Sequence, residues 1–69
     1  MMSQNAISSF IKEERKKAGL AQKEFAIQAG VALSLLRALE QGKETLKVSN
    51  VNRVLMMFGY ELGPVEAKR

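Results

Sequence analysis

The sequence predicts an all-α fold, a compact four-helix domain followed by one short C-terminal strand. Three observations lead there. Apolar residues recur at three- and four-residue intervals in four successive stretches. A glycine closes each stretch, at Gly19, Gly30, Gly42 and Gly59, as expected where a helix ends in a left-handed cap. Beyond Gly59 the pattern changes to alternation, in Tyr60-Glu61-Leu62-Gly63-Pro64-Val65.

The totals narrow the field. A chain of 69 residues reads as a single domain over 1–69, and at this size only about 60% of the unfolded surface is buried, so the core is small. There is no cysteine, no histidine and no aspartate. Disulfides, cysteine-ligated metals and most catalytic triads or acid/base pairs are therefore excluded, and neither an enzyme nor a cofactor is expected. The net charge of +4 and isoelectric point near 9.8 favour an anionic partner such as nucleic acid. Apolar runs such as Val54-Leu55-Met56-Met57-Phe58 are too short to span a bilayer. The start, Met1-Met2-Ser3-Gln4-Asn5, lacks a secretory pattern, so a cytoplasmic location with no membrane partner is expected.

The first helix is predicted over about 4–18, capped by Ser3 or Asn5. Ile7, Phe10, Ile11 and Ala18 fall on its inner face, and Lys12, Glu13, Glu14, Lys16 and Lys17 form a solvated outer face. The second spans 22–29, with Phe25, Ala26 and Ala29 inward and Leu20 packed just before it. Ala21 stands at its cap, where the missing hydroxyl costs about 1 kcal/mol, and Glu24 stands three residues on. The third spans 33–41, with Val31, Leu36 and Leu39 inward and Ala32 at the cap. Two short helices joined at Gly30-Val31 form the outline of a helix-turn-helix, whose second helix can lie in a DNA major groove. Leu46 and Val48 are expected to re-enter the core, and Ser49 to cap a fourth helix over about 50–58, with Val51, Val54, Leu55 and Phe58 inward.

A strand over 60–64 cannot stand alone, because its backbone groups need partners, and no other stretch reads as a strand. The simplest resolution is an antiparallel ribbon formed by Tyr60, Glu61, Leu62 and Gly63 with the same residues of a second copy, across a two-fold axis. Pro64 then stands at the ribbon's end, where a missing donor does least harm. The other reading is an irregular tail packed on its own domain. Residues 66–69 are expected to fray.

Arg15, Gly19-Leu20, Gln22, Glu24-Phe25-Ala26, Gly30-Val31, Leu36, Leu39-Glu40 and Gly42 stand at a spacing that resembles the Xre-type, phage-repressor/Cro-like helix-turn-helix family. The resemblance covers about 7–58. The ending Phe58-Gly59-Tyr60-Glu61-Leu62-Gly63 is similar to that of small HipB-like antitoxin repressors, which pair with a HipA-type kinase toxin and dimerise through a C-terminal strand. The resemblance implies that Gln22 touches the DNA backbone, and that Ala32, Leu33, Ser34 and Ala38 face bases, with Arg37 on or near the same side. It implies that Gln41 and Lys43 reach phosphates, and that Arg15 and Glu40 form a structural ion pair between the first and third helices. The expectation is a homodimeric, sequence-specific repressor of the prokaryotic cytosol and nucleoid. It would bind a palindromic operator in double-stranded DNA and serve as an autoregulating antitoxin.

One departure qualifies this. The base-facing set has a single hydroxyl and no Arg, Asn or Gln, the residues that read guanine and adenine most strongly. Direct readout from each half-site should be modest, with DNA shape adding to it. Leu33 and Leu35 either pack against the second helix or form an apolar patch for a protein partner. The alternative reading is therefore a protein-interaction module, toxin-neutralising or other, with little or no DNA binding.

Overall fold

The structure is a computed structural model and describes residues 6–66. Four α-helices follow in order: α1 (Ala6–Lys17), α2 (Gln22–Ala29), α3 (Leu33–Glu40) and α4 (Val48–Leu55). A 3-10 turn, Met56–Phe58, extends α4. The expected caps of α1, Ser3 and Asn5, lie outside the described residues. No strand occurs among the described residues.

The buried stripe of α1 is Ser8, Ile11 and Arg15, with Ile7 and Phe10 half-buried beside it. Ala18, expected inward, is exposed: α1 stops at Lys17, and Gly19 (φ 72°) swings the chain toward Leu20. At the start of α2, Glu24 recovers part of the missing cap, since its carboxylate accepts the Ala21 N–H at 3.0 Å. That is one half of a capping box; Ala21 has no side-chain oxygen for the other.

Gly30 makes the turn from α2 into α3. Its φ of 73° costs a glycine little and any other residue considerably more. In that conformation Gly30 N–H reaches Ile27 O at 3.2 Å and Val31 N–H reaches Ala26 O at 3.0 Å, which satisfies the last carbonyls of α2. Ala32 is extended (ψ 145°) and α3 begins directly after it. Gln41, expected as the last helical residue, is instead the C-cap.

The start of α4 differs from expectation. Its N-cap is Lys47, whose carbonyl accepts Asn50 and Val51 N–H, each at 3.1 Å. Ser49 lies inside the helix. Packing overrides the capping preference here: Leu46 is anchored against the core, and the helix starts as soon as the chain leaves that anchor. Val48, expected in the core, is 60% exposed. It shares a face with Val51 and Leu55 but lines an open cleft of about 220 Å³ together with Leu46 and Val51.

The core is centred on Ile11, Phe25, Leu36 and Val54, all fully buried. Phe25 and Phe58 stack at 5.3 Å, Phe58 meets Phe10 edge-on at 6.1 Å, and Phe10 meets Tyr60 at 4.8 Å. All the aromatic residues of the chain thus form one run from α2 to the tail. Each such pair adds about 0.5–1.5 kcal/mol beyond its burial.

After Gly59 the chain returns to its own domain as far as Leu62. Leu62 packs against the core, and its N–H donates to Asn52 Oδ1 at 2.7 Å. No helix among the described residues is long and apolar enough to cross a membrane.

At 0.05–0.15 kcal/mol per residue a chain of this length is stable by roughly 3–10 kcal/mol. Leu36→Ala should cost about 2–5 kcal/mol, a large share of that total. Ile27→Ala, at a site 71% exposed, should stay within about 0.5 kcal/mol. Urea unfolding of the two variants checks the contrast.

Candidate nucleic-acid interface

The candidate interface is the outer face of α3, and that face is defined by what holds the inner one. Leu36, Leu39 and Glu40 are buried. Leu33 and Leu35 flank them, half-buried and packed on the core. The remaining positions, Ser34, Arg37, Ala38 and Gln41, recur at three- and four-residue spacing and share the outward stripe. Ser34, Arg37 and Gln41 are exposed, and Ala38 is half-buried. Ala32 is exposed at the N-cap, and Lys43 is exposed in the loop after α3. Leu33 therefore presents only part of its side chain, and the expected choice for Leu33 and Leu35 resolves toward packing.

A buried polar cluster sets the orientation of α3 relative to α1. Arg15 grips Glu40 with two nitrogens, Nε to Oε2 at 2.7 Å and Nη2 to Oε1 at 3.0 Å. The side chains are only 11% and 2% exposed. The third arm of the guanidinium, Nη1, donates to Leu20 O at 2.8 Å, which ties the α1–α2 connection to the same centre. Gln22 Nε2 donates to Glu40 Oε1 at 3.0 Å. Gln22 is half-buried, so one end of its amide is committed to the fold and its position at the start of α2 is set by Glu40. This planar, bidentate geometry is specific to arginine.

The charge around α3 is mostly positive. Lys23, Arg37, Lys43, Lys47 and Arg53 are exposed, against Glu24 and Glu44; Glu40 is paired with Arg15. Arg53 holds a place not expected of it. Its Nη1 donates to Gly30 O at 3.3 Å, so α4 braces the turn that launches α3. Spacing alone did not signal this contact, because it joins two elements far apart in sequence. Ala21 and Ala32 leave the first-turn N–H groups of α2 and α3 without a side-chain cap. Such groups are suited to a phosphate oxygen. Among the described residues no cluster of carboxylates could hold a metal.

Truncating one partner of the central ion pair should be expensive. Glu40→Leu leaves the Arg15 guanidinium buried and unpaired and should cost about 3–5 kcal/mol in chemical denaturation. The double variant Arg15→Met/Glu40→Leu should cost less than the single one, because no charge is stranded.

A family model described as Helix-turn-helix matches residues 11–65, and that span holds α2, α3, α4 and most of α1. No curated protein and no solved structure matches the chain.

Proposed function

Because the chain belongs to the Xre-like helix-turn-helix family of DNA-binding transcription regulators, we propose that it is a dimeric, sequence-specific repressor with α3 in the major groove of a palindromic operator. The observation that carries this reading is the outward stripe Ser34–Arg37–Ala38–Gln41. It lies opposite the face that is locked by Leu36, Leu39 and the Arg15–Glu40 pair. Lys43, Lys47, Gln41 and the N-termini of α2 and α3 hold phosphates and set the register, without reading sequence. Gln22 lies at the same edge. Ala32, the exposed part of Leu33 and Ala38 offer apolar contact to thymine methyl groups, and Ser34 one adaptable hydroxyl. Repression follows from occupying the promoter.

Dimerisation through Tyr60, Glu61, Leu62 and Gly63 would set two copies of α3 about 34 Å apart, one turn of the duplex. The antitoxin role, with autoregulation and a HipA-type kinase toxin as partner, rests on the likeness of the ending Phe58-Gly59-Tyr60-Glu61-Leu62-Gly63 to that subgroup. The competing reading, an interaction module without DNA binding, draws on the scarcity of strong base-reading side chains on α3. Gel shift on generic duplex separates the two. Binding at low salt that weakens steeply as salt rises supports the repressor; no shift on any duplex at low salt removes it.

Lys43→Ala should weaken binding to all duplexes alike and reduce the slope of log affinity against log salt by about one per subunit. A loss confined to one operator would contradict its phosphate role. Ser34→Ala should change the preferred sequence more than the overall affinity, as read by competition between related duplexes.

A further inference from the structure

The two ends of α3 are held differently. At the C-terminal end Glu40, the last helical residue, is gripped by Arg15 through two nitrogens. At the N-terminal end, beside Ala32, Leu33 and Ser34, the chain enters through Gly30-Val31-Ala32. None of those turn residues has a polar side chain, so the turn cannot pin itself, and Ala32 gives α3 no side-chain cap. Val31 and Leu33 pack on the core, but apolar contact is non-directional, and glycine has the widest backbone freedom of any residue. The directional restraint comes from another element: Arg53 Nη1, on α4, donates to Gly30 O at 3.3 Å. Charge favours the same contact. The C-terminal end of a helix is its negative pole, yet α2, whose C-cap is Gly30, has no basic residue in its last turn. Arg53 supplies from α4 the cation that α2 lacks.

We propose that Arg53 is a positioning residue for sequence discrimination. Without touching DNA it fixes the peptide plane of Gly30, and so the angle at which the N-terminal end of α3 presents Ala32, Leu33 and Ser34 to base edges. This rests on the repressor reading above and adds to it a residue outside the helix-turn-helix. Loss of Arg53 leaves the Arg15–Glu40 grip intact, so α3 pivots about its C-terminal end. Gln41 and Lys43, close to that end, keep their reach to phosphates, while the residues at the other end move. Phosphate contacts carry binding to duplex in general, and base contacts carry discrimination. The preferred sequence therefore loses more than an arbitrary one. The competing role is a direct phosphate contact, because Arg53 is exposed and its guanidinium has donors beyond the one on Gly30 O. Salt dependence separates the two roles. An arginine on a phosphate contributes about one to the slope of log affinity against log salt, and a positioning residue contributes nothing.

The test compares Arg53→Met, which keeps a long side chain without a donor, with Arg53→Lys, which keeps a charged donor. Each full-length variant is titrated, over a range of salt, against the duplex that the unaltered chain enriches from a random pool and against a scrambled duplex of the same composition. Arg53→Met should lower the ratio of the two affinities by about threefold or more, the effect of one hydrogen bond, with the salt slope unchanged. Arg53→Lys should restore most of that ratio. In the free protein the amide resonances of Val31, Leu33 and Ser34 should shift in Arg53→Met, while the Arg15 Nε–H resonance, fixed by Glu40, stays in place. That signature separates a moved reading end from a loosened domain. A slope reduced by about one per subunit makes Arg53 a phosphate contact and overturns the proposal. Equal losses on both duplexes, or a displaced Arg15 resonance, reduce Arg53 to a general support and overturn it too. An unchanged affinity ratio overturns it with the repressor reading intact. If the unaltered chain binds no duplex at low salt, the repressor reading falls and this inference falls with it.

Discussion

The Arg15–Glu40 ion pair is the constraint on which the other elements depend. It joins α1 to α3, holds the α1–α2 connection through Leu20 O, and sets Gln22 at the start of α2. A pair this buried contributes little net stability over an apolar replacement. What it contributes is geometry: a planar fork and a carboxylate allow one arrangement, whereas two leucines allow several. The cluster thus fixes how α3 projects, and through it which residues can face a groove.

A second restraint acts from the far side. Arg53 braces the carbonyl of Gly30, and the aromatic run from Phe25 through Phe58 and Phe10 to Tyr60 connects the reading unit to the tail. The tail is therefore seated on the same core that positions α3. If two tails pair, the relative placement of the two α3 helices is transmitted through packed rings and not through a flexible linker. With so few strong base-reading side chains on α3, accurate spacing and DNA shape would carry more of the discrimination than they would beside an arginine-rich helix.

The helix-turn-helix was legible because its signals are local. Glycine at the caps and apolar residues at helical spacing set α2 over 22–29, and α3 differs by one residue at its end. The departures occur where tertiary packing outweighs a local preference. Ser49 is a better cap than Lys47, yet burial of Leu46 decides where α4 begins. Val48 has the right periodicity but lines an open cleft and stays exposed. Ser8 has the spacing of the buried stripe with Ile11 and Arg15, and its polarity hid it. Two contacts had no local signal, Arg53 to Gly30 O and Asn52 to Leu62 N–H, because each joins elements distant in sequence. The tail is the hardest case: its alternation predicts a strand, whereas the structure has no strand there and packs Leu62 on its own domain.

The central claim is that two copies of the α3 outer face, held at fixed separation, read a palindrome. Selection of bound duplexes from a random pool tests it most directly. The account predicts an enriched inverted repeat, with half-sites about 10 base pairs apart from centre to centre and soft base preferences within each half. A pool that enriches no motif, or only an isolated half-site, would contradict it.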